Sequence, residues 1–245
     1  MKKNLLLILV ALVTFVACDN IQGIKGNIFA KTKGTGPVQK FTRDVKGFKG
    51  IDIQASADVQ IQQTAGDFKV VVETHQNIAD IFETVVENDI LLLRFKQGEG
   101  NVSYDKLIVY VDAPTFEKLI VSGSGNFTGG TLKSDNLLMD ISGSGNINIK
   151  DITAKEIKAD LSGSGDIEIG GTAEKATCDL SGSGGVDSKN LKTKDVVATI
   201  SGSGNINCNA EVTLEAEVSG SGNIHYSGTP SVKSKVSGSG NVEKE

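Results

Sequence analysis

The 245-residue chain has no tryptophan, three prolines, three cysteines and two histidines. Each scarcity excludes something. Three prolines cannot support a Gly-X-Y triple helix, although 29 glycines exceed the average share of about 7%. His75 and His225 alone are thin material for nucleophilic catalysis, and no serine sits in Gly-x-Ser-x-Gly. Nine Phe and three Tyr leave few aromatic platforms for sugars. Lys and Arg number 25 against 30 Asp and Glu, so the basic footprint of a nucleic-acid binder is missing. The apolar run Leu5–Ala17, broken only by Thr14, falls short of the ~20 residues that span a bilayer.

That run is an address. Lys2 and Lys3 precede it, and Phe15-Val16-Ala17-Cys18 follows at its end. A short basic end, an apolar stretch and small or aliphatic residues before a cysteine resemble a bacterial lipobox. The resemblance implies cleavage before Cys18 and acylation of that residue. Cleavage takes two lysines from the −5 total and leaves −7. An acidic surface gains little from anionic headgroups, so the acyl chains would hold the protein to its membrane. The expected location is the cell envelope, at the outer membrane. Residues 18–32 then form the lipidated cysteine and a tether.

What is abundant is one motif. Ser-Gly-Ser-Gly begins at Ser122, Ser142, Ser162, Ser181, Ser201, Ser219 and Ser237, a spacing of 18 to 20 residues. Self-similarity at that period predicts a solenoid. Positions five, three and one before each motif are mostly apolar, as in Ile157, Ala159, Leu161 and Val196, Ala198, Ile200, with polar residues between. That alternation predicts a strand with one buried face. After the motif come pairs such as Asn146-Ile147 and Asn205-Ile206, and a third apolar spot recurs at Leu132, Ile152, Ala173, Leu191 and Val212. Each rung thus reads as a longer strand, a Ser/Gly corner, a short strand and a loose third side. Length changes fall between the short strand and the next long one. Seven rungs at ~4.8 Å rise roughly 34 Å.

The residue after the motif is Asn, Asn, Asp, Gly, Asn, Asn, Asn. These types tolerate positive φ, so this position is expected in a left-handed bend. A ladder of stacked amides is the alternative, which Gly185 would interrupt. Cys178 and Cys208 fall at core positions on different sides of different rungs, as buried thiols rather than a disulfide.

The pattern extends backward in weaker form. Asp52–Ile61 aligns with Asp160–Ile169, with Ala55 and Ala57 at the glycine positions. Lys33–Val38 looks like an earlier copy. Strand-like runs at Phe68–Thr74, Leu91–Phe95 and Leu107–Asp112, with turns at Asn88-Asp89 and Gln97–Gly100, fit either large irregular rungs or an antiparallel meander. The organisation is therefore a signal peptide at 1–17, lipidated Cys and tether at 18–32, degenerate rungs or strands at 33–120, and regular repeats at 121–245. The fold class is all-β, a parallel β-helix expected to be right-handed.

The lipobox, the Val45–Ile53 lead-in with Gly47-Phe48, the Asp58-Val59 turn and the Gly-Ser-Gly-Asn-Ile copies together resemble the head GIN domain family. Its members are called auto-transporter adhesins and are abundant in Bacteroidetes. The resemblance covers roughly 38–245 and implies a parallel β-helical fold and adhesion at the cell surface. The chain departs from true autotransporters, since after residue 120 it is all repeat, without a barrel of ~10-residue membrane strands.

The chemistry found is sparse. Asp52, Asp140, Asp160, Asp179 and Glu217 share one outward position, two before the motif, where stacking would bring like charges about 5 Å apart. A cation stripe is one reading; a solvated face relieved by Lys118, Lys158, Lys233 and Lys235 is the favoured one. Uniform short rungs leave no walled groove for a polysaccharide-acting enzyme. No catalytic, cofactor-binding or metal-binding residue is assigned, and nucleic acid is not an expected partner. The expectation is a non-enzymatic, lipid-anchored adhesin or recognition module for an extracellular glycan or protein. A structural envelope lipoprotein is the alternative. The chain ends Asn241-Val242-Glu243-Lys244-Glu245 without a cap, which leaves end-to-end association open.

Overall fold

The computed structural model describes residues 32–245. The signal segment and Cys18 lie outside the described residues. In chain order, the first part comprises Thr32–Lys33 (β1), Val38–Arg43 (β2), Gly50–Ile53 (β3), Asp58–Gln63 (β4), Lys69–His75 (β5) and the one-turn helix Gln76–Ala79 (α1). Phe82–Glu87 (β6), Ile90–Phe95 (β7), Val102–Ser103 (β8), Ile108–Ala113 (β9) and Lys118–Val121 (β10) follow. The regular part comprises Asn126–Ile141 (β11), Ile147–Leu161 (β12), Asp166–Leu180 (β13), Gly185–Ile200 (β14) and Asn205–Val218 (β15), then Asn223–Gly228 (β16), Ser231–Val236 (β17) and Asn241–Lys244 (β18). Together they form a β-solenoid of about six turns.

From β10 onward the strands stack in parallel and in register. Met139 lies over Ala159, which lies over Cys178 and then Ala198 and Ala216. The inward residues of the long side, from Leu137, Met139, Ile141 to Leu214, Ala216, Val218, are at most 2% exposed. The third side is not loose. Ladder pairs such as Leu132 with Ile152 and Ala154 with Ala173 carry the short strand directly into the next long one. Buried backbone amides need partners, and stacking each bend on the one beneath supplies them. Shifts of register sit where the length changes were expected, between Ile149 and Ile152, Glu168 and Gly170, and Ser188 and Lys192. On the third side one core assignment changes. Val212 is 54% exposed, and Ala210 takes the inward place, because β15 spans the third side with fewer residues and its register slips against β14.

The corners explain the glycines. A Cβ added to Gly143, Gly163 or Gly182 would stand 1.7–1.9 Å from the carbonyl oxygen of the matching glycine one turn below, and Gly145, Gly165 and Gly184 are similar. Even the smallest side chain would therefore push the turns apart. Ala55 and Ala57 break the pattern for a visible reason. The turn beneath them leaves the ladder after Leu93 and rejoins it at Ile108, so no matching corner lies under their methyl groups.

The first part is both a rung and a meander, in an order the sequence did not disclose. The turn β3–β4 is laid down first yet lies second in the stack. Ile51 pairs with Leu119 on one side and Leu91 on the other, and Val59 with Phe127 and Val109. Around this turn the chain builds antiparallel strands, β5 on β9, β2 on β5 and β6 on β7. Lys33–Val38, expected as an earlier copy, is instead the end of β1, a loop and the first residue of β2, which is an antiparallel edge. The β6–β7 hairpin turns at Asn88 and Asp89, with φ of 51° and 62°, the positive values a tight hairpin requires. Phenylalanine cluster here, with Phe48 against Phe68 and Phe82 against Phe95.

The steric account is testable. Gly163→Ala is expected to cost about 3 kcal/mol or more. Gly130→Ala, where a Cβ meets nothing within 4 Å, should stay within about 0.5 kcal/mol. Urea denaturation of the two variants checks the contrast; similar losses would contradict it.

Candidate functional site

The stacked corners form a polar ridge along the solenoid. All fourteen motif serines, from Ser122 and Ser124 to Ser237 and Ser239, are exposed. Their backbones are fixed. Ser144 N–H donates to Gly123 O (3.1 Å), Ser164 to Gly143 O (3.2 Å) and Ser203 to Gly182 O (3.1 Å), while Ser142, Ser162 and Ser181 donate to the last residue of the strand beneath. Two hydroxyls therefore recur at each turn on a hydrogen-bonded support.

Beside the serines runs an amide column, and here the expected left-handed bend is corrected. Among the described residues, only Asn88 and Asp89 are non-glycine residues at positive φ. The column is a ladder. Asn126 Oδ1 accepts from both the backbone and side-chain amides of Asn146 (3.0 and 2.9 Å), Asn146 Oδ1 from Asp166 N, and Asp166 Oδ1 from Gly185 N. Asn205 Oδ1 accepts from Asn223 in the same way. Gly185 has no side chain to pass the ladder on, so it restarts at Asn205. Parallel in-register stacking makes such ladders possible, since each amide lies over its own kind.

The acidic column is shorter than its sequence positions suggested. In register it reads Asp52, Ile120, Asp140, Asp160, Asp179, Thr199, Glu217, Lys235. Asp52 is tied to Gln54 Nε2 (2.7 Å) and Ser122 Oγ (2.8 Å), and Glu217 to Lys235. Only Asp140, Asp160 and Asp179 are consecutive, and Lys158 Nζ neutralises Asp160 at 2.7 Å. Burial, and then repulsion from Asp160, raise the Asp140 carboxyl above its ordinary value. Among the described residues no group of three or more His, Cys, Asp and Glu is placed to hold a metal ion.

The third side carries alternating charge instead. Lys155 meets Asp135 (3.0 Å), Lys175 meets Glu156 (3.1 Å) and Lys194 meets Glu174 (3.7 Å), each one turn apart. A shallow groove of about 770 Å³ beside them is lined by both signs, including Glu117, Lys118, Asp135 and Lys158. Of the histidines, His225 lies outward with Nδ1 3.2 Å from Glu243, and His75 is buried with Nδ1 2.8 Å from Gly36 O and Nε2 3.3 Å from Asp105. Both rings face carboxylates rather than a serine. Cys178 and Cys208 are free and buried, and burial pushes both thiols up to about 12. Sequence reasoning missed the buried Ser188, which donates to Asn207 O (3.0 Å); its place over Ile169 in the repeat alignment was the available signal.

A parallel solenoid with a repetitive polar ridge defines the class. Over residues 47–230 the chain matches the family described as "Putative auto-transporter adhesin, head GIN domain", and it belongs to that family. It is similar to the crystal structure of a "putative adhesin" from Bacteroides fragilis, 26% identical, TM-score 0.81, covering 87% of this chain and 99% of that one. A "putative lipid binding protein" from Parabacteroides distasonis (24% identical, TM-score 0.76, 88% and 100% covered) and a "putative adhesin" from Parabacteroides merdae (22%, 0.70, 88% and 99%) share the fold. None of the curated proteins matches.

Two outcomes follow. Because Asp140 titrates above its unfolded value, the native chain holds more protons across that window, and this group's contribution to stability falls as pH rises through it. Asp140→Asn should therefore gain stability at neutral pH, under about 1 kcal/mol given solvent screening, and lose the gain in acid. Urea titration at both pH values checks this. Separately, neither Cys178 nor Cys208 should react with iodoacetamide in the native state, and both should react once the chain is unfolded, as mass spectrometry would read.

Proposed function

We propose that the protein is an exported, lipid-anchored and non-enzymatic adhesin whose serine and asparagine ridge binds an extracellular glycan or protein through repeated weak contacts. The observation that carries this reading is the array itself, with exposed hydroxyls and amides repeated turn after turn on hydrogen-bonded corners. One polar site without an aromatic platform binds weakly; several on a stiff support add avidity. Family membership supports adhesion at a surface.

The geometry also suits an N-terminal anchor. β1 pairs with β8 at the end of the stack that holds the antiparallel strands, and Thr32 is the fourteenth residue after Cys18, a reach of up to about 50 Å. Lipid at Cys18 would hold that end toward the outer membrane and project the ridge outward. Among the described residues no helix is long and apolar enough to cross a membrane.

Added protease on intact cells should remove the domain, and Cys18→Ala should abolish palmitate labelling and membrane association. On an array of glycans and matrix proteins, a Ser144→Lys, Ser164→Lys, Ser183→Lys variant should lose about tenfold or more in apparent affinity. A shielded domain, or array binding unchanged by the triple variant, would overturn the adhesin reading in favour of a structural envelope role.

A further inference from the structure

The two ends of the stack are unlike. At the β5–α1–β6 end the inward residues Val70, Val72, Ile78 and Phe82 are 3% exposed or less. At the other end Val232 and Val236 keep 40% and 44% of their surface, although Leu214 and Val218, one turn below them, keep 1% or less. Ser231–Val236 pairs with β15 along one edge, and its other edge has no strand among the described residues. An unpaired edge with half-covered apolar residues is a template for another strand.

The charges say what kind of strand. Outward Lys233 lies over Glu215 (2.6 Å) and Lys235 over Glu217, and the two lysines are 82% and 72% exposed. One turn down the outward positions are acidic, and at the edge they are basic. We propose that this edge receives an extended strand of a partner protein in which apolar residues alternate with Glu or Asp. Its apolar side chains would cover Val232 and Val236, its carboxylates would meet Lys233 and Lys235, and its main chain would complete the ladder.

A second copy of this chain fits less well. Antiparallel self-pairing that keeps inward residues inward sets Ser234 opposite Ser234 and Lys233 opposite Lys235, like charge against like. Head-to-tail stacking would bring the β6 edge, where Arg94 pairs with both Glu83 and Glu87, toward β17. On the neighbouring side, however, that end runs one strand further, because β2 pairs outside β5. Bringing β6 to β17 then puts β2 in the place of β18.

The test uses the whole protein in detergent and two fluorescein-labelled peptides, Thr-Val-Glu-Val-Glu-Val-Thr and its counterpart with lysine for glutamate, followed by anisotropy. The acidic peptide should bind saturably and about tenfold tighter than the basic one. A Lys233→Glu, Lys235→Glu variant should reverse the order. Because the basic peptide gains binding there, loss of folding cannot mimic the result. The proposal is overturned if neither peptide saturates, if charge makes no difference, or if the edge instead drives concentration-dependent self-association that the double variant abolishes. None of these outcomes depends on the ridge being an adhesive surface.

Discussion

The contact on which the structure depends is the passage of one glycine backbone directly over another at the Ser-Gly-Ser-Gly corners. There the room for a Cβ is already taken by a carbonyl oxygen of the turn below, 1.7–2.0 Å from where the carbon would stand. Glycine serves at these corners for closeness and not for positive φ, since none of the motif glycines is in the left-handed region. Closeness at the corner keeps the strands on both sides at ladder spacing. That in turn holds the inward Leu, Ile, Val and Ala columns in contact and leaves the corner amides paired.

In-register stacking then decides how the surface can be used. Away from the register shifts, each outward residue meets the residue one turn away, so composition along a column becomes energy. Asparagine over asparagine is favourable, because one side-chain oxygen accepts from the next turn. Burial raises the Asp140 carboxyl, and the aspartate stacked over it raises it further. Lysine over glutamate resolves the conflict on the third side and at the last turn. The same geometry repeats equal polar positions turn after turn along the ridge. It also leaves the last turn with the half-covered valines that earlier turns bury.

Much of this was legible in the sequence, because a repeat states the same rule many times. The period, the inward column Met139, Ala159, Cys178, Ala198, and the places where length varies could all be read from spacing, since one-dimensional stacking maps sequence offset onto rung position. Local chemistry also fixed the Asn88-Asp89 hairpin. The ridge was legible as a repeated corner, but whether its Asn column bends or stacks was not, because the residue types suit both.

Tertiary structure decided the rest, wherever a residue's partner lies far along the chain. Nothing local marks β3–β4 as the second turn of the stack; that order follows from pairing Ile51 with both Leu91 and Leu119. Ala55 and Ala57 looked like decay of the motif and are instead permitted by the missing corner beneath them. The acidic stripe dissolved once Ile120 and Thr199 took their places in register. The repeat by itself determined how one turn is made and that turns would stack, because period and steric demand are local. Which turn lies on which depended on contacts between distant segments, and only the assembled fold supplies those.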